Sequence, residues 1–176
     1  MRALALVFAA SVMAAGPCAA AAPSKPAISA RIQRLEDVEQ IRRLLTDYGR
    51  FLDKRDLVGY SQLFAEDGVW DGGFGAAKGP AAILAMMRKQ IGGELNEQPQ
   101  KNFHLLTNFE IEVDGDAGKA WSRWTFVGLG PDGKASVLYA GRYDDQLVRE
   151  HGRWKFKLRH VSADLPGQPP PSGPLK

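Results

Sequence analysis

The chain predicts an α+β domain in which N-terminal helices pack on a curved, mainly antiparallel sheet. Three observations carry this expectation. From Ile32 to about Leu52 apolar residues recur every three or four positions, the period of a helix with one buried stripe. After about Gln100 the chain changes to strand-like segments, Phe103 to Val113, Ala117 to Val127, Ser136 to Val148 and Arg153 to Ser162. Those segments are joined by Asp114-Gly115-Asp116, Pro131-Asp132-Gly133 and Glu150-His151-Gly152, all short turns that favour a meander. Helices first and strands second is the order of an α+β fold rather than of alternating βα units.

The elements follow in order. Met1-Arg2, an apolar run from Ala3 to Ala15 and small residues through Ala22 read as a secretory signal over residues 1–22, which places the mature protein in the periplasm or outside the cell. Residues 23–30 then form a linker. In the first helix Leu35, Val38, Ile41, Leu44, Leu45, Tyr48 and Leu52 supply the apolar stripe. Asp56 is placed to cap a second, short helix over Leu57 to Phe64, and a short strand is expected near Val69-Trp70. Lys78-Gly79-Pro80 opens a third helix, which Gly92-Gly93 stops. Asp71-Gly72-Gly73-Phe74-Gly75 reads as a flap. The prolines and glycines of residues 164–176 read as a disordered tail.

Composition narrows the function classes. About 140 residues lie between signal and tail, enough for one domain. The formal charge of +3 falls to 22 basic against 20 acidic residues once Arg2 leaves, which is no nucleic-acid signature. Arg153, Lys155, Lys157 and Arg159 alternate with Trp154, Phe156, Leu158 and His160, so the basic row is expected on the solvent face of a strand. If Cys18, the one cysteine, leaves with the signal, disulfides and thiolate chemistry are excluded. No membrane-spanning run follows residue 22. The chain carries no Rossmann fingerprint, no His-Glu-x-x-His and no Gly-x-Ser-x-Gly, so neither a metal nor another cofactor is expected.

Several stretches together resemble one family. They are Leu52-Asp53-Lys54-Arg55-Asp56, Leu63-Phe64-Ala65-Glu66-Asp67-Gly68-Val69-Trp70, His104-Leu105-Leu106-Thr107-Asn108, and Gly141-Arg142-Tyr143-Asp144-Asp145 followed by Gly152-Arg153-Trp154. They are similar to the SnoaL-like branch of the nuclear transport factor 2-like superfamily, which also contains scytalone dehydratase and the ketosteroid isomerases. The resemblance spans about Ile32 to Val161, within a domain drawn at 31–163. It implies a cone-like fold, a cavity between the sheet and the long helix, and a homodimer.

Candidate chemistry follows from both lines. Tyr48 lies on the apolar stripe, either as a buried structural tyrosine or as a hydrogen-bond donor to a developing enolate. Asp53 stands five residues on, about 140° around a straight helix, so both reach one pocket only if the helix ends or distorts between them. The resemblance gives Asp53 a buried site role and makes His104 an acid–base residue; the bland alternatives are a solvated carboxylate and a structurally satisfied strand-end histidine. Histidine is suited to the role because its ordinary pKa of about 6.5 lets it exchange protons near neutrality. Trp70, Phe103, Trp121 or Trp124, Tyr139 and Tyr143 either line an aromatic cavity or pack a core, and Arg142 either pairs with Asp144 or reaches an anionic ligand group. Around Trp121-Ser122-Arg123-Trp124 the second histidine of scytalone dehydratase is missing, so that reaction is not expected here. The resulting expectation is an exported, cofactor-independent lyase or isomerase acting on a small apolar carbonyl or hydroxylated ring compound. Its rival is a ligand-binding or dimerisation module of the same fold.

Overall fold

A computed structural model describes residues 27–92 and 101–166. Residues 1–26, which include Cys18 and the segment read as a signal, residues 93–100 and the chain beyond Pro166 lie outside the described residues. The order is α1 (Ile28–Asp53), α2 (Leu57–Ser61), β1 (Phe64–Gly72), β2 (Gly75–Lys78), α3 (Pro80–Ile91), β3 (Phe103–Asp114), β4 (Ala117–Leu129), β5 (Ala135–Glu150) and β6 (Arg153–Pro166). One six-stranded sheet runs β2-β1-β6-β5-β4-β3, antiparallel throughout except for the parallel pair β1 and β6. The helices pack on one face of this curved sheet, as expected.

α1 starts at Ile28, so Ile28 to Ala30, assigned to the linker, are helical. Its buried stripe is Asp37, Ile41, Leu44, Leu45, Tyr48 and Gly49, whereas Leu35 is 70% exposed. The stripe turns because Asp37 is drawn inward by Arg149 at 2.6 Å, Gln33 at 3.2 Å and the Trp154 indole N–H at 3.3 Å. Burial pushes the Asp37 carboxyl up, but these hydrogen bonds outweigh it and hold its pKa below the usual value. A folded value below the unfolded one, about 3.9, gives stability that is present above that pH and lost as pH falls through the folded value. Asp37→Asn should therefore melt lower than the parent at neutral pH, with the gap closing below about pH 4. A gap that persists undiminished at pH 2 would contradict this assignment.

Asp56 caps α2 by accepting from the Gly59 amide at 2.8 Å, and Pro80 begins α3, which ends at Gly92 with φ of +66°. The expected flap is instead the turn of a hairpin: β1 pairs with β2 from Val69 opposite Lys78 to Gly72 opposite Gly75. β6 continues through Asp164 to Pro166, into the segment assigned to the tail, and Asp164 accepts from Arg142 and Arg123.

The largest departure lies in β6. Leu147 pairs with Phe156 and Gln146 with Leu158, so Lys157 is an extra residue, a bulge that reverses which side chains face inward. Trp154 and Phe156 are buried before it, Arg159 after it, and His160 turns outward to meet Asp71 at 2.8 Å. Arg159, expected in solvent, is the largest fully buried side chain of the core.

Close approach between β5 and β6 depends on Gly141. A Cβ there would lie 1.9 Å from the Ser162 carbonyl oxygen and 2.9 Å from the Trp124 ring. Gly141→Ala should cost about 3 kcal/mol, read as a lower urea midpoint, since backbone must move; an unchanged midpoint would show that the strands are not so close.

Candidate active site

Asp53 is the last residue of α1 and His104 the second of β3. The two elements meet at Gly49, one helical turn before Asp53, where an added Cβ would lie 2.7 Å from Leu106 Cδ1 and 3.4 Å from His104 Cβ. The missing side chain lets β3 approach the helix, and Asp53 then reaches it. Its Oδ1 lies 2.6 Å from His104 Nδ1, and its Oδ2 accepts the His104 backbone N–H at 3.0 Å. An ionised carboxylate can only accept, so in the neutral imidazole Nδ1 carries the proton and Nε2 is left with its lone pair. Nε2 has no hydrogen-bond partner among the described residues. The side chains are 14% and 21% exposed, sheltered but reachable. The His104 ring also packs on Phe126, with centroids 4.8 Å apart.

Both members of this pair line an open groove of about 420 Å³. One wall is the ridge of Thr46 and Arg50 of α1 and Lys54, the residue that caps its C-terminus, with Asp53 beside it. The other is β3, from His104 through Leu105 and Leu106 to Phe109. Phe109 shares that wall with His104 and Leu106 because the register shifts between Thr107 and Glu110, where Asn108 has φ of +56°. Arg55 ties the end of α1 to the end of α3, donating to the Ile91 carbonyl at 2.9 Å.

Tyr48 does not join this pair. The helix stays regular to Asp53, and the tyrosine points into the core, where its oxygen accepts from Tyr60 O–H and Trp70 N–H, both at 2.9 Å. The proposed pocket residues are likewise placed elsewhere, and none lines the groove. Trp70, Trp124 and Tyr143 are buried core, with Trp124 stacked on Tyr143 at 5.9 Å. Tyr139 packs half-buried against that core. Phe103 is exposed, and Arg142 pairs with Asp144 at 3.5 Å and with Asp164.

Arg159 is the group that the strand alternation hid. Its Nε and Nη2 hold both Asp145 oxygens, at 2.8 and 2.6 Å, while Tyr48, Tyr143 and Phe156 surround the guanidinium with ring centroids 4.0 to 4.1 Å away. Burial works against its charge, but Asp145 more than compensates and raises its pKa above the ordinary value. Burial also pushes the Tyr60 and Tyr143 hydroxyls well up. A signal for this pair was present: Gly141, Tyr143, Asp145 and Leu147 alternate on one strand face, and a carboxylate on a buried face requires a cation.

The profile of the SnoaL-like domain matches residues 33–160. The chain belongs to that family, within the nuclear transport factor 2-like superfamily. It is 27% identical over 133 residues to an uncharacterised protein of Mycobacterium tuberculosis, covering 73% of this chain and 86% of that one. It is 26% identical over 132 residues to gamma-hexachlorocyclohexane dehydrochlorinase of Sphingobium indicum, covering 74% and 82%. Among solved structures, a nuclear transport factor 2-like protein with a cystatin-like fold from Novosphingobium aromaticivorans superposes with a TM-score of 0.68 at 26% identity, covering 78% of this chain and 88% of that one. LinA does so with 0.65 at 25%, covering 77% and 90%.

Proposed function

We propose that this protein is a cofactor-independent lyase in which His104, oriented by Asp53, removes a proton from carbon. The observation that carries the reading is the Nδ1 contact of 2.6 Å, which leaves Nε2 as a base on the groove side chain. In the forward step the C–H electron pair becomes the new double bond, the proton goes to Nε2, and the leaving group on the adjacent carbon departs with its bonding pair. Asp53 stabilises the imidazolium so formed. Return of the proton to a different carbon, without loss of a group, would make the same centre an isomerase. Family membership and the dehydrochlorinase relative support the elimination chemistry.

Tyr48 is not retained as the donor in this scheme, because its hydroxyl is engaged in the core. Export rests on the composition of residues 1–22 alone. A homodimer through the outer sheet face is part of the proposal, supported by the exposed apolar residues Phe103, Val137 and Leu165 on β3, β5 and β6.

The test is to incubate the protein with β-hydroxy ketones and halogenated cyclohexanes in deuterium oxide, following products by mass spectrometry. Alkene formation or deuterium uptake that His104→Gln abolishes is the expected result. Saturable binding with neither change would favour the non-catalytic ligand-binding reading instead.

A further inference from the structure

We infer that the groove beside His104 selects ligands that carry a carboxylate, or a similar anionic group, on an apolar frame, and that Lys54 and Arg50 hold that group. This departs from the uncharged carbonyl or hydroxylated ring compound expected from the sequence. It takes the proposed acid–base role as its setting but rests on the charge of the groove walls.

The two walls differ in kind. Leu105, Leu106 and Phe109 offer apolar surface for a ring or chain, and the groove volume of about 420 Å³ lies within the range of small-molecule sites, about 300–1,000 Å³. Opposite them Thr46, Arg50 and Lys54 succeed one another at four-residue intervals, so their side chains stand one above the next. The charge does not balance within the groove. Asp53 is its one anionic lining residue, and both its oxygens are committed to His104. Lys54 has no ion-pair partner among the described residues. Arg50 holds Asp47 through Nε and Nη2, at 3.0 and 2.8 Å, and keeps Nη1 free for another acceptor. In the elimination the proton goes to His104 and the negative charge to the departing group, and two cations one turn apart on the facing wall would offset that charge together with the bound carboxylate. A neutral ligand would leave Lys54 to water and Arg50 with Asp47 alone.

The experiment titrates the protein with 1-naphthoate and with its neutral isostere 1-naphthamide, by chemical-shift perturbation of Leu106, Phe109 and His104. The carboxylate should bind about ten-fold more tightly, since two partly exposed ion-pair contacts of about three-fold each multiply. That advantage should shrink as salt rises from about 50 to 500 mM. Lys54→Gln should remove about three-fold of it and the double variant with Arg50→Gln nearly all, with 1-naphthamide affinity unchanged and the fold retained by circular dichroism. Equal affinity for the two probes, or an advantage that survives both substitutions, would overturn the inference. Discrimination that persists when no elimination substrate is found would count against the acid–base reading and leave this one standing.

Discussion

Replacing His104 by glutamine is expected to lower turnover of any substrate found for this protein by about 10²- to 10⁴-fold, the usual contribution of a positioned general base. The melting temperature should hardly move, because the ring is not part of the buried core cluster and glutamine can keep a hydrogen bond to Asp53. Asp53→Asn should reduce turnover as well, for a different reason. An amide at position 53 can donate to Nδ1, which would move the imidazole proton to Nε2 and remove the lone pair from the reacting side. Substrate affinity should be little changed in either variant, so the loss should fall on kcat rather than KM. Turnover that survives His104→Gln would dismiss the dyad as the acid–base centre.

Arg159→Met is expected to have the largest effect on stability. The substitution strands the Asp145 carboxylate in the core, and breaking a buried ion pair from one side typically costs about 3–5 kcal/mol. It also removes the cation from between the rings of Tyr48, Tyr143 and Phe156. For a domain of this size the melting temperature should fall by about 10 °C or more. Asp145→Leu alone should be similarly damaging, since it strands the guanidinium. The double variant should recover much of the loss, because two apolar residues of suitable volume owe no solvation. A single Arg159→Met variant as stable as the parent would mean that the pair is not buried as described.

The sequence was informative wherever periodicity was strong and one force dominated. The helical spacing over Ile41, Leu44, Leu45 and Tyr48, the Asp56 cap and the turn residues between strands each predict local structure by a single mechanism, and each is found. The failures share a physical origin in tertiary register. Alternation along β6 assigned Arg159 to solvent because one bulged residue, Lys157, cannot be read from alternation alone. The same applies to Tyr48. Its place on the apolar stripe was legible, but its partners Tyr60 and Trp70 come from other elements, and they decide that its hydroxyl serves the core. His104 and Asp53 are brought together across 51 residues by the glycine at position 49, a contact that only the family resemblance pointed toward. Lys54 and Arg50 lie at the C-terminal end of α1, where cations favour the helix dipole in any case. Their second property, a shared wall with the histidine, exists only once β3 is in place.

Whether His104 can act as the base depends on which of its ring nitrogens carries the proton. A long-range nitrogen–proton correlation spectrum of the protein labelled with ¹⁵N-histidine, recorded where the imidazole is neutral, reads this directly. His104 acting as the base is expected to be protonated at Nδ1, with an unprotonated Nε2, and Asp53→Asn to reverse the pattern. A neutral His104 protonated at Nε2 in the parent protein would contradict it, since the nitrogen assigned as the base would have no lone pair to offer.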